Sequence, residues 1–289
     1  MITKKVIISF AILFSIFLAG CSQQNINSED SSTGINEVEQ ISLIGSTSVG
    51  PVASKVNAAF NEKFPDIKIE MQELGSSAGI NSVIDETAHV GMSSRSLTQK
   101  ELDAGLEEIT IALDGMAIIV NNDNPISDLN KEQLSKIFKG EIKNWLEVGG
   151  EDGEIIIISR EMGSGTRTSF EDILGLVLND GFSLVEAAYP IIANGNGSVK
   201  SNVSTKKRAI GYISVGSLDA SVSTISINGV LPTAQNIRAG TYELSRPLLY
   251  LTRKSLSNDA VESYINYVLS EEGQYIVAES NYIPIFDLP

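Results

Sequence analysis

Reactive and metal-binding side chains are scarce in this chain. Its 289 residues contain one cysteine, Cys21, and one histidine, His89. A lone cysteine cannot close a disulfide within the chain, so the fold must stand on its core alone. One histidine, with no cysteine in the folded part, leaves little from which to build a zinc or other transition-metal site. No metal, catalytic residue or cofactor is therefore expected. Positive charge is also in short supply: 21 Lys and Arg face 36 Asp and Glu, a net charge of −15. Such a chain repels a nucleic-acid backbone. A small anion held locally by backbone N–H groups is still compatible with that charge. Long apolar runs are missing after residue 20, so nothing in the body of the chain is expected to span a membrane.

The first residues carry an address rather than a fold. Lys4 and Lys5 form a positive n-region, and Val6 to Ala19 is apolar but too short and wrongly flanked to span a bilayer. The run ends in Leu18-Ala19-Gly20-Cys21. Small residues before a cysteine resemble the lipobox of bacterial lipoproteins, which predicts a signal peptide over 1–20, cleavage before Cys21 and lipidation of its thiol. Two acyl chains suffice for stable anchoring. Loss of Lys4 and Lys5 takes the net charge from −15 to −17. Residues 21–40 are rich in Ser, Asn, Gln and Glu and can bury nothing, so they read as a disordered tether.

From residue 41 onward the pattern is strand, glycine-serine loop, helix, repeated. Ile41 to Ile44 alternates as a strand. Val49, Val52, Val56, Phe60 and Phe64 recur at helical spacing, with Pro51 in the first turn and Pro65 as the stop. Ile67, Ile69 and Met71 alternate again, and Ile80, Val83 and Ile84 share a helix face. His89 to Met92 is a short strand in which His89 reads as structural. Thr98 with Glu101 makes a capping box. Ile109 to Leu113 and Met116 to Val120 read as two strands separated by Asp114-Gly115. Further helices are expected over Asn130 to Phe138, around Phe170 to Leu178, and over Asn258 to Leu269. Strands are expected at Ile155 to Ile158, Ile210 to Val215 and Leu248 to Leu251. Alternating strands and helices predict an α/β fold with parallel sheets covered on both faces, two sheets fitting the length better than one. Two lobes of roughly 100–150 residues each fit the chain. The expected division is 41–115 plus 216–289 for the first lobe and 116–215 for the second.

Three strand-to-helix loops share one chemistry: Gly45 to Ser48, Gly75 to Gly79 and Gly163 to Thr166. Each places a hydroxyl where an N-cap belongs. Helix starts expose unpaired N–H groups and the positive end of the dipole, so each could hold an anion. One such loop is explained by helix capping; three suggest convergence on one oxyanion at the carboxyl edge of the strands. Arg160 leaves a strand, and Arg167 stands at a helix start, where a cation is disfavoured. An anion between them explains both. The competing explanation is pairing with Glu161 and Glu171.

These segments, with Gly91-Met92-Ser93-Ser94-Arg95, Asp114-Gly115-Met116-Ala117-Ile118-Ile119-Val120-Asn121 and Ile210-Gly211-Tyr212-Ile213-Ser214, occur in an order that resembles the phosphate-binding proteins of the bacterial phosphate ABC importer, the PstS family. The resemblance covers the chain after Gln40. It implies a two-lobed periplasmic-binding-protein fold of the type II topology, with a dehydrated ligand in the cleft. It implies a monomer on the outer face of the cell membrane that takes inorganic phosphate to the permease subunits and ATPase of an ABC importer. By position in the motifs, Thr47, Ser48, Ser76, Ser94, Arg160, Ser164, Gly165 and Thr166 match binding residues. Many members carry aspartate at the positions of Ser94 and Met162. Their absence opens the question of what accepts the proton of phosphate and so rejects sulfate. Asp114 is the candidate, with Glu161 or a backbone carbonyl next. A binding protein for sulfate or molybdate is the alternative reading. An adhesin or sensor on the same fold is weaker, and so is a hydrolase, because Gly163-Ser164-Gly165-Thr166 is not a G-x-S-x-G elbow and no histidine lies near it in sequence.

Overall fold

A computed structural model describes residues 39–255 and 258–288. The expected signal peptide, Cys21 and the tether up to residue 38 lie outside the described residues. In chain order the elements are β1 (Glu39–Gly45), α1 (Gly50–Lys63), β2 (Ile67–Glu73), α2 (Ser76–Ile84), β3 (Val90–Ser93), α3 (Gln99–Asp103), β4 (Leu106–Val120), β5 (Asp128–Leu129) and α4 (Lys131–Phe138). They continue with β6 (Ile156–Arg160), α5 (Gly165–Leu174), β7 (Ile191–Ala193), α6 (Gly195–Thr205), β8 (Ala209–Ser214), β9 (Ser223–Thr224), β10 (Ser226–Ile227), α7 (Ala234–Arg238), β11 (Ser245–Arg253), α8 (Asp259–Leu269) and α9 (Glu271–Glu279).

Local signals decide most boundaries. Pro51 sits in the first turn of α1, where no N–H is missed. Phe64 leaves the helical region because Pro65 follows it. Thr98 and Glu101 form the expected capping box of α3, and Asn130 with Gln133 forms another for α4. Helix α5 stops at Leu174 because Gly175 turns left-handed, so Val177 and Leu178, expected on the helix, lie beyond its end.

The strands form one mixed sheet rather than two parallel ones, in the order β2-β1-β3-β11-β4-β8-β6-β7, with β9 also paired to β4. A small ladder of β5 and β10 stands apart. The reason is β4. The two strands expected around Asp114-Gly115 are a single fifteen-residue strand. Its first part pairs antiparallel with β11 and its last part with β8. Asp114 does not turn the chain, because it faces Arg246 across the ladder and Gly115 faces Ser245. A Cβ at 115 would stand 2.6 Å from Ile237 Cδ1, so any larger residue there requires the Ile237 side chain to move.

Two large hydrophobic cores flank this shared strand. One gathers Ile41, Leu43, Val52, Val56 and Phe60 with Ile111, Leu248, Tyr250, Tyr264 and Tyr282. The other gathers Met116 to Val120 with Phe138, Trp145, Ile158, Phe170 and Ile210 to Ile213. In the second, Phe170 stacks on Tyr212 at 3.9 Å. Val222, Ile225, Ile227, Ile237, Tyr242 and Leu244 also pack in this second core. The sequence places those residues with the first lobe; their side chains pack with the other. Where β4 passes from one core to the other, beside the start of β11, the loops after β1, β3 and β6 come together.

Candidate functional site

The site is built from helix starts. Ser46 to Val49 lead into α1, where no side chain caps the helix. Gly75, at φ +93°, reverses the chain before α2, which also lacks a side-chain cap. A left-handed turn at that point is one that glycine tolerates without strain. The first N–H groups of these helices have no partner within the helix; outside it, the Gly50 N–H goes to the Ser46 carbonyl and the Ser77 N–H to the Gly163 carbonyl, each at 3.1 Å. Helix α5 begins after Ser164, whose Oγ accepts the Arg167 N–H at 3.2 Å. That leaves the N–H groups of Gly165 and Thr166 at the mouth of the helix. Gly165 permits a close approach: a Cβ there would lie 2.3 Å from Ser76 Oγ and 2.8 Å from Ser94 Oγ.

The hydroxyls are buried and linked. Ser76 Oγ accepts the Ser94 N–H at 3.1 Å and lies 3.3 Å from Ser94 Oγ. Ser48 Oγ accepts from Asn196 Nδ2 at 3.0 Å and from Arg246 Nη2 at 3.1 Å. Its third neighbour is Thr166 Oγ1 at 2.8 Å. A hydroxyl has two acceptor positions and one proton. With both acceptor positions filled by N–H donors, Ser48 must donate to Thr166, which directs the Thr166 proton away from Ser48.

Two buried guanidiniums flank this cluster, and they differ. Arg160 is held by Glu161 through Nε and Nη2, each at 2.8 Å, by Asn196 Oδ1 at 3.0 Å and by Thr47 Oγ1 at 3.1 Å. Arg246 gives Nε and Nη2 to Asp114 Oδ2 at 3.1 and 2.9 Å, and Nη2 to Ser48. Its Nη1 is buried and has no hydrogen-bond partner among the described residues. The other oxygen of Asp114 accepts from Ser214 Oγ at 2.8 Å and the Val215 N–H at 3.2 Å. Burial pushes the Asp114 carboxyl above its ordinary value, against the pull of Arg246 and these donors. The Glu161 carboxyl is held below its usual range by Arg160, despite its own burial.

Of the residues singled out in the sequence, Ser48, Ser76, Ser94, Ser164, Gly165 and Thr166 come together, with Thr47 at the edge on Arg160. Asp114 stands behind Arg246, with both oxygens engaged, and so presents no spare carboxylate to an anion. Arg160 is neutralised by Glu161, while Met162 is exposed. Arg167 pairs with Glu171 at 2.7 Å and with Glu186, which accounts for its place at a helix start without an anion. His89 Nδ1 accepts the Ser42 N–H at 3.1 Å, tying two strands. Arg246 and Asn196 are the residues the sequence did not reveal. Asn196 lies in Gly195-Asn196-Gly197, a poor helix sequence that nonetheless begins α6. Arg246 had one signal, a charge two residues before the apolar run that begins at Leu248. Among the described residues no group of three or more His, Cys, Asp or Glu could hold a metal.

Residues 30–272 match the PBP superfamily domain. The phosphate-binding protein PstS of Borreliella burgdorferi is 32% identical over 290 residues, covering 98% of this chain and 99% of that protein. This chain belongs to the PstS family. The PstS of Bacillus subtilis is 31% identical over 99% of this chain and 95% of its own length. Among solved structures, a putative phosphate ABC transporter substrate-binding protein from Clostridium perfringens, with bound phosphate, is 41% identical. It covers 86% of this chain and all of that one, at a TM-score of 0.81. An ABC-type phosphate transport receptor from Vibrio cholerae is 38% identical at a TM-score of 0.72. The fold and membership expected from the ordered loops are thus shown. In this chain a serine stands at 94, and Glu161 is the carboxylate on the loop arginine Arg160.

Proposed function

We propose that this chain captures inorganic phosphate outside the cytoplasm and hands it to the permease subunits of an ABC importer driven by its ATPase. The observation that carries this reading is the convergence of buried hydroxyls, uncapped helix starts and an unpartnered guanidinium nitrogen, in a chain 41% identical to a protein solved with bound phosphate. A cluster rich in donors suits a dehydrated tetrahedral oxyanion. Its role is capture, not catalysis: the serines have no base to activate them.

The rest of the reading extends to location and architecture. The chain is a monomeric lipoprotein, cleaved after Gly20 and held at the outer membrane face by lipid on Cys21. No described helix is long and apolar enough to cross a membrane, which accords with anchoring from the N-terminal end. The lobes divide where the cores divide, inside β4 near Asp114 and inside β11 near Arg246, so that residues 216–244 belong with the second lobe. Anion binding across the division draws on loops from both sides. The test is titration of the purified protein with labelled phosphate, with sulfate and molybdate as competitors. Saturable phosphate binding displaced poorly by sulfate supports the reading; stronger displacement by sulfate or molybdate than by phosphate replaces it with the other oxyanion.

A further inference from the structure

We propose that Arg246 is a further cation that contacts the bound anion, beside the loop arginine Arg160, and that Asp114 is its positioning residue. This rests on the oxyanion reading above. Both guanidiniums are nearly inaccessible, so their hydrogen bonds decide what each can do. Arg160 gives four of its five N–H groups to Glu161, Asn196 and Thr47, leaving one on Nη1. A bidentate carboxylate already neutralises it. Arg246 spends only Nε and Nη2, and leaves Nη1 buried without an acceptor. A buried charged donor without an acceptor is costly to the fold and rare. It is retained most simply where a ligand completes it.

The placement supports the same assignment. Strand pairing sets Arg246 directly opposite Asp114. One edge of the planar fork lies against Asp114 Oδ2, and Nη2 reaches Ser48 Oγ. Nη1 shares that rigid fork. Ser48 in turn touches Thr166, so the guanidinium borders the hydroxyl cluster rather than a separate cavity. Asp114 cannot itself meet the anion usefully. It has no spare acceptor position facing the cluster, and its charge would repel the ligand. Its effect is to fix the plane of the fork so that Nη1 points where an oxygen can receive it.

The experiment is calorimetric titration of phosphate into the parent, Arg246→Gln, Arg246→Lys, Asp114→Ala, Asp114→Asn and the reference Ser76→Ala. Arg246→Gln is expected to weaken phosphate binding by ~30-fold or more. Arg246→Lys recovers part of the loss, keeping the charge without the fork. Asp114→Ala weakens binding, and Asp114→Asn, which keeps an acceptor in place, restores most of it. Arg246→Gln leaves Asp114 uncompensated and can fail to fold, so a crystal of the parent with phosphate gives a second reading: a phosphate oxygen within about 3.2 Å of Nη1. The proposal is overturned if Arg246→Gln binds within about threefold of the parent while Ser76→Ala loses tenfold. It is overturned equally if every phosphate oxygen lies beyond about 3.5 Å from Nη1. A parent that binds no phosphate overturns the underlying reading and this proposal together.

Discussion

Thr166→Val isolates one proton. Ser48 Oγ receives N–H groups from Asn196 and Arg246, so its own proton goes to Thr166 Oγ1 at 2.8 Å. Thr166 Oγ1 accepts that proton, and its own proton is left to donate toward the site. Valine keeps the shape and removes the hydroxyl, with two separate consequences. Toward a bound anion, one buried charge-assisted hydrogen bond is lost, worth ~1.5–3 kcal/mol, or about 10- to 150-fold in Kd. In the ligand-free protein, the Ser48 O–H loses its acceptor, at a cost of ~1–3 kcal/mol in unfolding free energy. Calorimetry reads the first and urea unfolding the second. Thr166→Ser, which restores the hydroxyl, should return both values to within about threefold and about 0.5 kcal/mol of the parent. A valine variant that binds phosphate within about twofold of the parent refutes the directed network and leaves Thr166 a packing residue.

Three further outcomes follow from particular contacts. Gly165→Ala drives a methyl against Ser76 Oγ and Ser94 Oγ; overpacking of ~1–3 kcal/mol and a loss of phosphate affinity exceeding about tenfold are expected by unfolding and calorimetry. Glu101 is held at about 2 chiefly by its hydrogen bonds to Arg95. Its folded value lies below its unfolded one, so its contribution to stability is full above the ordinary value of 4.5 and is lost as pH falls toward 2. Glu101→Gln should therefore narrow the stability difference between pH 6 and pH 3, measured by urea midpoints; an unchanged acid limb would contradict the pairing. Cys21→Ala should move the protein from the membrane fraction into the soluble extracytoplasmic fraction, and retention in the membrane would count against the anchor.

Most of the fold was legible because its signals are local. Pro51 and Pro65 bracket α1, Thr98 and Glu101 cap α3, and the three hydroxyl-rich loops sit where strands hand over to helices. What escaped depends on partners distant in sequence. Asp114-Gly115 reads as a turn until Arg246 is known to stand opposite, 132 residues later. The same separation hid the role of Arg246, since an arginine before an apolar run gives no sign of the carboxylate that will orient it. Asn196 was obscured by glycines that argue against the helix it begins. The packing of residues 216–244 was hidden for a related reason: nothing in their sequence says which core will bury Ile225 or Tyr242.

The unbroken path of β4 through both cores, with β11 closing the first, also governs the order in which the chain can fold. The first core draws Ile41 to Ile111 together with Leu248 to Tyr282, so it cannot close until almost the last residue is available. Pairings of such long sequence separation form slowly, because loop-closure entropy must be overcome before the contacts repay it. A chain emerging from the ribosome therefore offers its N-terminal half no complete core against which to collapse. On the export route proposed above, that delay would keep the polypeptide unfolded enough to be threaded across a membrane.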